Sequence, residues 1–368
     1  MNKKIAAAVS LFSLSMLMYG QSTVATDGDV NHDGKVDISD VVAVINIIAG
    51  KEGAEQKTKR PLQFFVSEKA FVSPDGQHDS GELDEEPVAS KRRRMPETTI
   101  STLNEFYYSY VTSSGAVSDV TTQITCSIGQ WTADSSWPES AGEDEDVTFY
   151  AYANADADDL FYVNDYGTPC MGLYMDKTTL ELKDFLVARQ VESFAHSGGN
   201  VHFQFEHALG ALEFRLSKTA KLAGYTVEVQ KVQLHNIPSS GDYYPDHKGW
   251  SVDWEDTKDY TVNLYPDEAE GRTIEVTQES KQLGKANDYL MLIPQTLTPW
   301  GKERPLEDAY VEISCKIYDE SGDYKAGSAT DFGSVYLPFG ITIKQGYITP
   351  VNIIMGTALR DADGNKIF

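Results

Sequence analysis

The clearest pattern of apolar and polar positions lies between residues 201 and 218. Val201, Phe203 and Phe205 alternate with polar residues, as in a half-buried strand, until the alternation breaks at residues 207–210 and then resumes. A break that contains a glycine predicts a β-bulge or a sharp bend between two strand segments. Because strand patterns lie on both sides, we interpret this stretch as the seam between two β-rich halves.

Comparable strand patterns recur along most of the chain, and short turns rather than helical stretches separate them. The 20 tyrosines and 15 phenylalanines also favour strands over helices. The sequence therefore predicts a mainly β protein built from β-sandwiches rather than an α/β fold. The predicted strands cover residues 61–73, 106–111, 121–128, 147–153, 160–163, 180–187, 201–216, 225–237, 259–265, 273–276, 289–294, 310–318, 334–338 and 347–355.

Length and charge narrow the class of protein. A chain of 368 residues is long enough for two domains, each with its own core. The formal net charge of -25 argues against binding to nucleic acid or to an anionic membrane, because both carry negative charge. A charge of this sign and size is expected of a soluble protein that is secreted or exposed at the cell surface.

Residues 1–25 are typical of a secretory signal peptide. A short basic segment, Asn2 to Lys4, precedes an apolar run, Ile5 to Met18, that is too short to span a membrane, and small residues follow. The protein is therefore expected to be exported, and no cysteine near the signal would carry a lipid anchor. The cysteines are widely spaced, odd in number and predicted to be buried free thiols: Cys126, Cys170 and Cys315.

Residues 29–40 have the spacing of a calcium-binding loop. Oxygen-bearing side chains occupy loop positions 1, 3, 5, 9 and 12, and a glycine at position 6 allows the sharp turn. An apolar helix is predicted over residues 41–49. Loop and helix, residues 26–50, resemble one half of a type I dockerin module, and this resemblance implies calcium as the cofactor. The implied ligands are Asp29, Asn31, Asp33, the carbonyl of Lys35, Asp37 and Asp40.

The dockerin-like segment has a single repeat, whereas the family carries two. Asp361 to Asn365 has only the start of a second loop. A helix as apolar as 41–49 is expected to pack on the next domain or on another molecule, since a surface helix has a polar face. The sequence leaves open what this segment would dock to.

A basic run, Lys91 to Arg94, follows a charged linker (51–60) and the first predicted strand. It lies in a polar segment, residues 74–97, that also contains an acidic stretch. Two interpretations stay open: a solvated linker whose charge balances the acidic stretch, or a site for an arginine-specific protease in an exposed segment. The candidate processing residues are Arg92, Arg93 and Arg94.

No catalytic motif is predicted, so the chain is not expected to be an enzyme. His202, Glu206 and His207 do not have the spacing of a zinc protease, and no nucleophile elbow or phosphate-binding loop is present. Sugar binding through exposed aromatic side chains is a second hypothesis, although packing in a core is the favoured role for these residues. The tryptophans concerned are Trp131, Trp137, Trp250, Trp254 and Trp300.

Several motifs occur in a fixed order between residues 62 and 356: WP at 137, VTFYAYA, DFLVA, FQFEHALGALEFRL, VQKVQLHNIPSSGDYY, YLMLIPQTL and GYITPVNIIM. Their order and spacing resemble the fimbrillin family, the subunits of type V pili. That resemblance implies two tandem transthyretin-like β-sandwich domains, predicted over residues 61–221 and 222–356. The tail, 357–368, is predicted to form a β-turn rather than a donor strand.

The same resemblance implies assembly by strand exchange. In the family, a protease removes the first strand after an arginine, and a strand of a neighbouring subunit fills the groove. Here this implies cleavage within Lys91 to Arg94 and removal of residues 64–72. The implied partners are other fimbrillin-like subunits or surface proteins, with glycans as further ligands. The alternative is a calcium-dependent carbohydrate-binding or cohesin-docked surface module, because cleavage at Arg94 would also remove the calcium loop.

Overall fold

Strands make up nearly all regular structure in the part of the chain that the computed structural model describes. The described residues are 60–68, 103–118, 121–127, 130–132, 136–154, 160–175, 184–265, 272–285, 289–301, 306–356 and 358–368. They belong to one unit, Arg60–Phe368. Within these ranges the exceptions are a four-residue helix, α1 (Phe194–Ser197), and a 3-10 turn at Ala220–Leu222. The predicted mainly β class is confirmed.

The first half of the described chain closes into a barrel. The strands of this half are β1 (Gln63–Glu68), β2 (Glu105–Thr112), β3 (Thr122–Ser127), β4 (Gln130–Thr132), β5 (Val147–Ala153), β6 (Phe161–Val163), β7 (Pro169–Tyr174), β8 (Leu186–Glu192) and β9 (Asn200–His207), and all except β6 and β7 belong to the barrel. The hydrogen-bonded order around the barrel is β1-β4-β3-β2-β5-β8-β9. Because β1 runs parallel to β9 and antiparallel to β4, the first strand closes the barrel.

The second half forms two larger sheets and one small pair. Its strands are β10 (Gly210–Lys218), β11 (Tyr225–Tyr244), β12 (Gly249–Val262), β13 (Ile274–Glu275), β14 (Lys281–Gln282), β15 (Leu290–Leu292), β16 (Gln295–Leu297), β17 (Tyr310–Asp319), β18 (Tyr324–Ala326), β19 (Gly333–Pro338), β20 (Ile341–Ile343) and β21 (Ile348–Met355). β10 pairs with β14, β15 and, in parallel, β21, whereas β11 pairs with β7, β12, β13 and β17. The hairpin β6-β7 thus extends a sheet of the second half, and a division at residues 221/222 stays a prediction.

The seam between the halves has the predicted bend. β9 and β10 are separated by Ala208 and Leu209, which are fully buried in a core that contains residues of both halves, such as Tyr152 and Tyr243. A Cβ atom at Gly210 would lie 2.5 Å from Cγ2 of Ile343, so only glycine fits where the second half packs against the bend. The seam is therefore a packed junction.

The hairpin β11-β12 is longer than the sequence pattern predicts. The pattern covers residues 225–237 and 259–265, but the strands continue through Tyr244 and start again at Gly249. The added segments are rich in serine, glycine and aspartate and face solvent on one side, which weakens the alternation. β7 lies outside the predicted strands because it begins with Pro169 and contains Gly172, both unfavourable in an isolated strand. Pairing with β11 stabilises it.

The tail folds back on the second half, and the predicted turn is confirmed. Oδ1 of Asp361 accepts hydrogen bonds from the backbone N–H groups of Asn365 (2.8 Å) and Asp363 (3.0 Å). The bond from Asn365 is the main cause that lowers the pKa of the Asp361 carboxyl. The ring of Phe368 packs edge-on against Tyr225, with centroids 5.5 Å apart. In this conformation the tail is an integral part of its own domain.

The three cysteines are free, as predicted. Cys170 and Cys315 are buried, whereas Cys126 is half-buried. Burial raises the pKa of the Cys315 thiol to about 12, so that it stays protonated and unreactive at neutral pH.

Candidate functional site

β1 lies in a groove between β9 and β4. Its residues from Gln63 to Glu68 pair in parallel with residues 200–205 of β9, and Phe64 pairs with Trp131 of β4. Both edges of β1 are therefore joined to neighbouring strands. Without β1, backbone N–H and C=O groups of β9 and β4 would lose their partners and form a template for another strand.

Phe64 anchors β1 in an aromatic core. Its side chain is 5% exposed, and its ring stacks on Phe203 with centroids 5.7 Å apart and planes 8° apart. The ring also lies 4.9 Å from that of Tyr108 and meets Phe106 edge-on at 5.6 Å. Offset and edge-on pairs of this kind add to the free energy gained from burial alone. The strand is thus held to the barrel by an aromatic cluster of Phe203, Tyr108 and Phe106.

Arg60 fixes the point where the chain enters the groove. Its guanidinium donates hydrogen bonds to the carbonyls of Pro138 (2.8 Å) and Ala141 (2.7 Å) and lies 5.2 Å from the ring centroid of Phe194. The backbone N–H of Trp137 donates a hydrogen bond to the Arg60 carbonyl at 2.9 Å. These contacts set the register of β1 from its first residue.

The segment that Arg60 binds is held by a buttressing carboxylate. Glu145 accepts hydrogen bonds from the backbone N–H groups of Gly142 (3.0 Å) and Ser114 (2.9 Å). These backbone bonds lower the pKa of Glu145 from 4.5 to about 2. The carboxylate is therefore ionised at neutral pH and ties the loop after Ala141 to the turn between β2 and β3.

The opposite face of β1 is open. Phe65 is 46% exposed, and its ring stacks on His202 of β9 at 4.6 Å. Phe64 points inward and Phe65 outward, as the two-residue period of a strand requires. The rest of the segment predicted to be removed, after Glu68, lies outside the described residues.

The predicted calcium and processing residues also lie outside the described residues. They are Asp29, Asn31, Asp33, Lys35, Asp37, Asp40, Arg92, Arg93 and Arg94. Among the described residues, no group of three or more His, Cys, Asp or Glu side chains is arranged to hold a metal ion. In the same part of the chain no helix has the length and apolarity needed to cross a membrane.

The tryptophans are mostly core residues, as favoured from the sequence. Trp137 and Trp300 are buried, and Trp131 and Trp250 pack half-buried against hydrophobic cores. Trp254, by contrast, is 57% exposed. Packing therefore accounts for four of the five residues considered for sugar binding.

The described chain is thus a closed β-barrel whose first strand lies in an aromatic groove, joined to a second β half. The chain belongs to the fimbrillin-like family, which it matches over residues 103–366. Residues 27–62 match the dockerin type I domain. The protein is thus a non-enzymatic fimbrillin-like protein, and membership of a fimbrial family implies a location at the cell surface.

Several solved structures of fimbrial or adhesion proteins are similar to this chain. A fimbrial protein from Bacteroides vulgatus is 13% identical, with 71% of this chain and 92% of that chain covered and a TM-score of 0.43. A Bacteroides ovatus protein assigned to cell adhesion is 12% identical, with coverages of 83% and 95% and a TM-score of 0.41. The fimbrial anchor protein Mfa2 from Porphyromonas gingivalis is 10% identical, with 71% of this chain and 79% of that chain covered and a TM-score of 0.29. Among curated proteins, none matches this chain.

Proposed function

We propose that this protein is an exported subunit, tip or accessory adhesin of a pilus that assembles by strand exchange. The observation that carries the proposal is the position of β1, which closes the barrel through parallel pairing with β9 and is anchored by Phe64. In this proposal the two halves are transthyretin-like domains, residues 1–25 direct export, and the partners are other fimbrillin-like subunits or surface proteins. Glycans are the proposed ligands for adhesion.

The physical basis is the groove that removal of β1 would create. It would have an aromatic floor that includes Phe106, Tyr108 and Phe203, flanked by the unpaired edges of β4 and β9. A strand from a second molecule would restore the backbone hydrogen bonds and insert an apolar anchor, which is recognition by strand addition. Because this joint rebuilds a domain core, it is expected to be tight and long-lived.

Limited digestion by an arginine-specific protease tests the assembly proposal. We expect a cut within Lys91 to Arg94 and release of β1. Size-exclusion chromatography should then show species larger than the monomer, and negative-stain images should show rods. The matched control carries Arg92→Gln, Arg93→Gln and Arg94→Gln together, and it should stay uncut and monomeric. A chain that is cut there, loses β1 and still remains monomeric would overturn the proposal.

We also propose that residues 29–40 bind calcium, because they combine the ligand spacing of a calcium loop with the match to the dockerin type I domain. Replacing Asp33 with alanine removes a ligand at loop position 5 and should weaken calcium binding at least about tenfold in titration calorimetry of the full chain. Asp363→Ala, in the tail turn, is the control and should leave affinity unchanged. Equal affinity in the Asp33→Ala variant would refute the site.

The two proposals apply to different forms of the chain. A cut within Lys91 to Arg94 places the calcium loop and β1 on the released segment, so calcium would act in the precursor. If the protein stays uncut, the alternative function is a calcium-dependent carbohydrate-binding or cohesin-docked module at the cell surface. Calcium titration before and after digestion separates the two cases.

A further inference from the structure

A groove crosses the sheet where β7, β11 and β12 lie side by side. Two rows of paired residues line it: Gly172, Asp242 and Ser251 in one row and Tyr174, Ser240 and Asp253 in the next. Residues at alternate positions, such as Met171 and Tyr243, pack into the core behind the sheet. By strand alternation the two rows therefore face away from that core.

The floor of the groove is backbone at Gly172 of the first row, and Gly241, which pairs with Leu173, lies between the two rows. A Cβ atom at Gly241 would lie 2.5 Å from the carbonyl oxygen of Ser251, so no side chain fits at that position. At Gly172 a Cβ atom would lie 3.5 Å from Oδ1 of Asp242 and 3.6 Å from Cε1 of Tyr162. A carboxylate and a phenol ring thus border an uncovered stretch of backbone.

Tyr174 lines the groove, and Tyr162 lies beside it, next to Gly172. Tyr174 is 59% exposed, and the ammonium of Lys258 lies 3.9 Å from its ring centroid while donating a 2.7 Å hydrogen bond to the Met175 carbonyl. The cation holds the ring in place and leaves much of it in contact with solvent. Burial, together with a hydrogen bond to Asp242, raises the pKa of Tyr162, so its hydroxyl stays protonated and orients that carboxylate.

The chemistry of these side chains matches a neutral carbohydrate. A sugar ring offers an apolar face of C–H groups, which would stack on Tyr174, and hydroxyl groups, which would donate to carboxylates and serine hydroxyls. Asp242 and Asp253 keep acceptor capacity, since an ionised carboxylate accepts about four hydrogen bonds. The same carboxylates, in a chain of net charge -25, would repel sulfated or acidic sugars. The groove volume of 620 Å³ lies within the range of small-molecule sites.

We propose that this groove binds a neutral oligosaccharide, with Tyr174 as the stacking residue and Asp242 and Asp253 as hydroxyl acceptors. The inference deepens the adhesive role proposed above, on which it rests for its biological purpose. It does not depend on cleavage or on strand exchange, because the groove lies on β7, β11 and β12 and not on the barrel edge that β1 covers.

The test is binding of neutral hexasaccharides to the uncut, full-length protein. The probes are maltohexaose, cellohexaose, mannohexaose and xylohexaose at millimolar concentration, measured by titration calorimetry. We expect at least one to bind, and Tyr174→Ala and Asp242→Asn each to weaken that binding about tenfold, the size of one well-placed contact. The matched control is Tyr166→Ala, which changes a tyrosine that is 93% exposed and absent from the groove lining.

Three results would overturn the inference. They are no binding of any hexasaccharide, equal binding by wild type and Tyr174→Ala, and binding of tetralysine with no saccharide binding, which would assign the groove to cationic peptides. Circular dichroism of each variant shows whether it is folded, and Asp242→Asn keeps the shape of the side chain if Tyr174→Ala proves unstable. Since no protease is added, the outcome is independent of the polymerisation experiment.

Discussion

Replacing Phe64 with alanine should destabilise the barrel by about 3 to 5 kcal/mol, the usual cost of deleting a buried phenylalanine side chain. The ring is 5% exposed and contacts Phe203, Tyr108 and Phe106 at centroid distances of 4.9 to 5.7 Å. Its loss leaves a cavity in a core that cannot collapse around it, because strands surround that core on all sides. Urea unfolding, followed by tryptophan fluorescence, measures the change.

Phe65→Ala is the matched control for this prediction. The two residues are adjacent on the same strand, but Phe65 points outward, is 46% exposed and contacts His202. Its loss should cost about 1 kcal/mol or less, since an exposed aromatic pair contributes little beyond its partial burial. Equal effects of the two substitutions would mean that Phe64 does not anchor β1, and the strand-exchange proposal would lose its main support.

The sequence predicted the parts of the fold that depend on local alternation. Val201, Phe203 and Phe205 are buried while His202 is exposed, and the bend comes at Ala208 and Leu209 as the broken pattern indicated. VTFYAYA was assigned as a strand with its bounds correct. These elements are predictable because each strand has one face in a core, so that buried and exposed positions appear in the sequence as alternating apolar and polar residues.

Pairing between distant segments could not be predicted. β1 lies beside β9, more than 130 positions along the chain, and nothing in either sequence specifies parallel alignment. β7 and the outer part of the hairpin β11-β12 are likewise stabilised by pairing between segments that are distant in the chain. Their residues Gly172 and Gly241 weaken the strand pattern, and Gly172 also leaves backbone as the floor of the proposed sugar groove. The feature that hid these strands from sequence reasoning is thus the one that makes the groove.

The proposed calcium loop is the opposite case. Its proposed ligands are close in sequence, so spacing alone predicts the site, and the match to the dockerin type I domain supports the same prediction. The groove under β1 needs residues from three strands that are far apart in the chain, β2, β4 and β9, so only the position of β1 among them reveals it.

Replacing Gly199 with alanine should loosen β1 specifically. Gly199 has a φ of +90°, and a Cβ atom there would lie 2.0 Å from the carbonyl oxygen of Pro61 and 3.3 Å from Cε2 of Phe194. The Gly199 carbonyl accepts a 2.9 Å hydrogen bond from the Gln63 N–H, so movement of Pro61 also disturbs the first pairing of β1. We expect a cost of about 1 to 3 kcal/mol from overpacking, in addition to backbone strain.

Gly198→Ala is the matched control, because it adds left-handed backbone strain without the steric clash with Pro61. Gly198 has a φ of +61°, so alanine there carries a left-handed backbone cost of about 1 to 2 kcal/mol, but no atom lies within 4 Å of the added Cβ. Hydrogen exchange measured by mass spectrometry should show faster exchange of the β1 amides in Gly199→Ala than in Gly198→Ala, with the amides of β5 and β8 unchanged in both. Faster exchange in every barrel strand would mean that β1 unfolds only with the whole barrel. A strand that cannot leave by itself could not be exchanged without unfolding the domain, so this single comparison decides whether the seating of β1 is compatible with assembly.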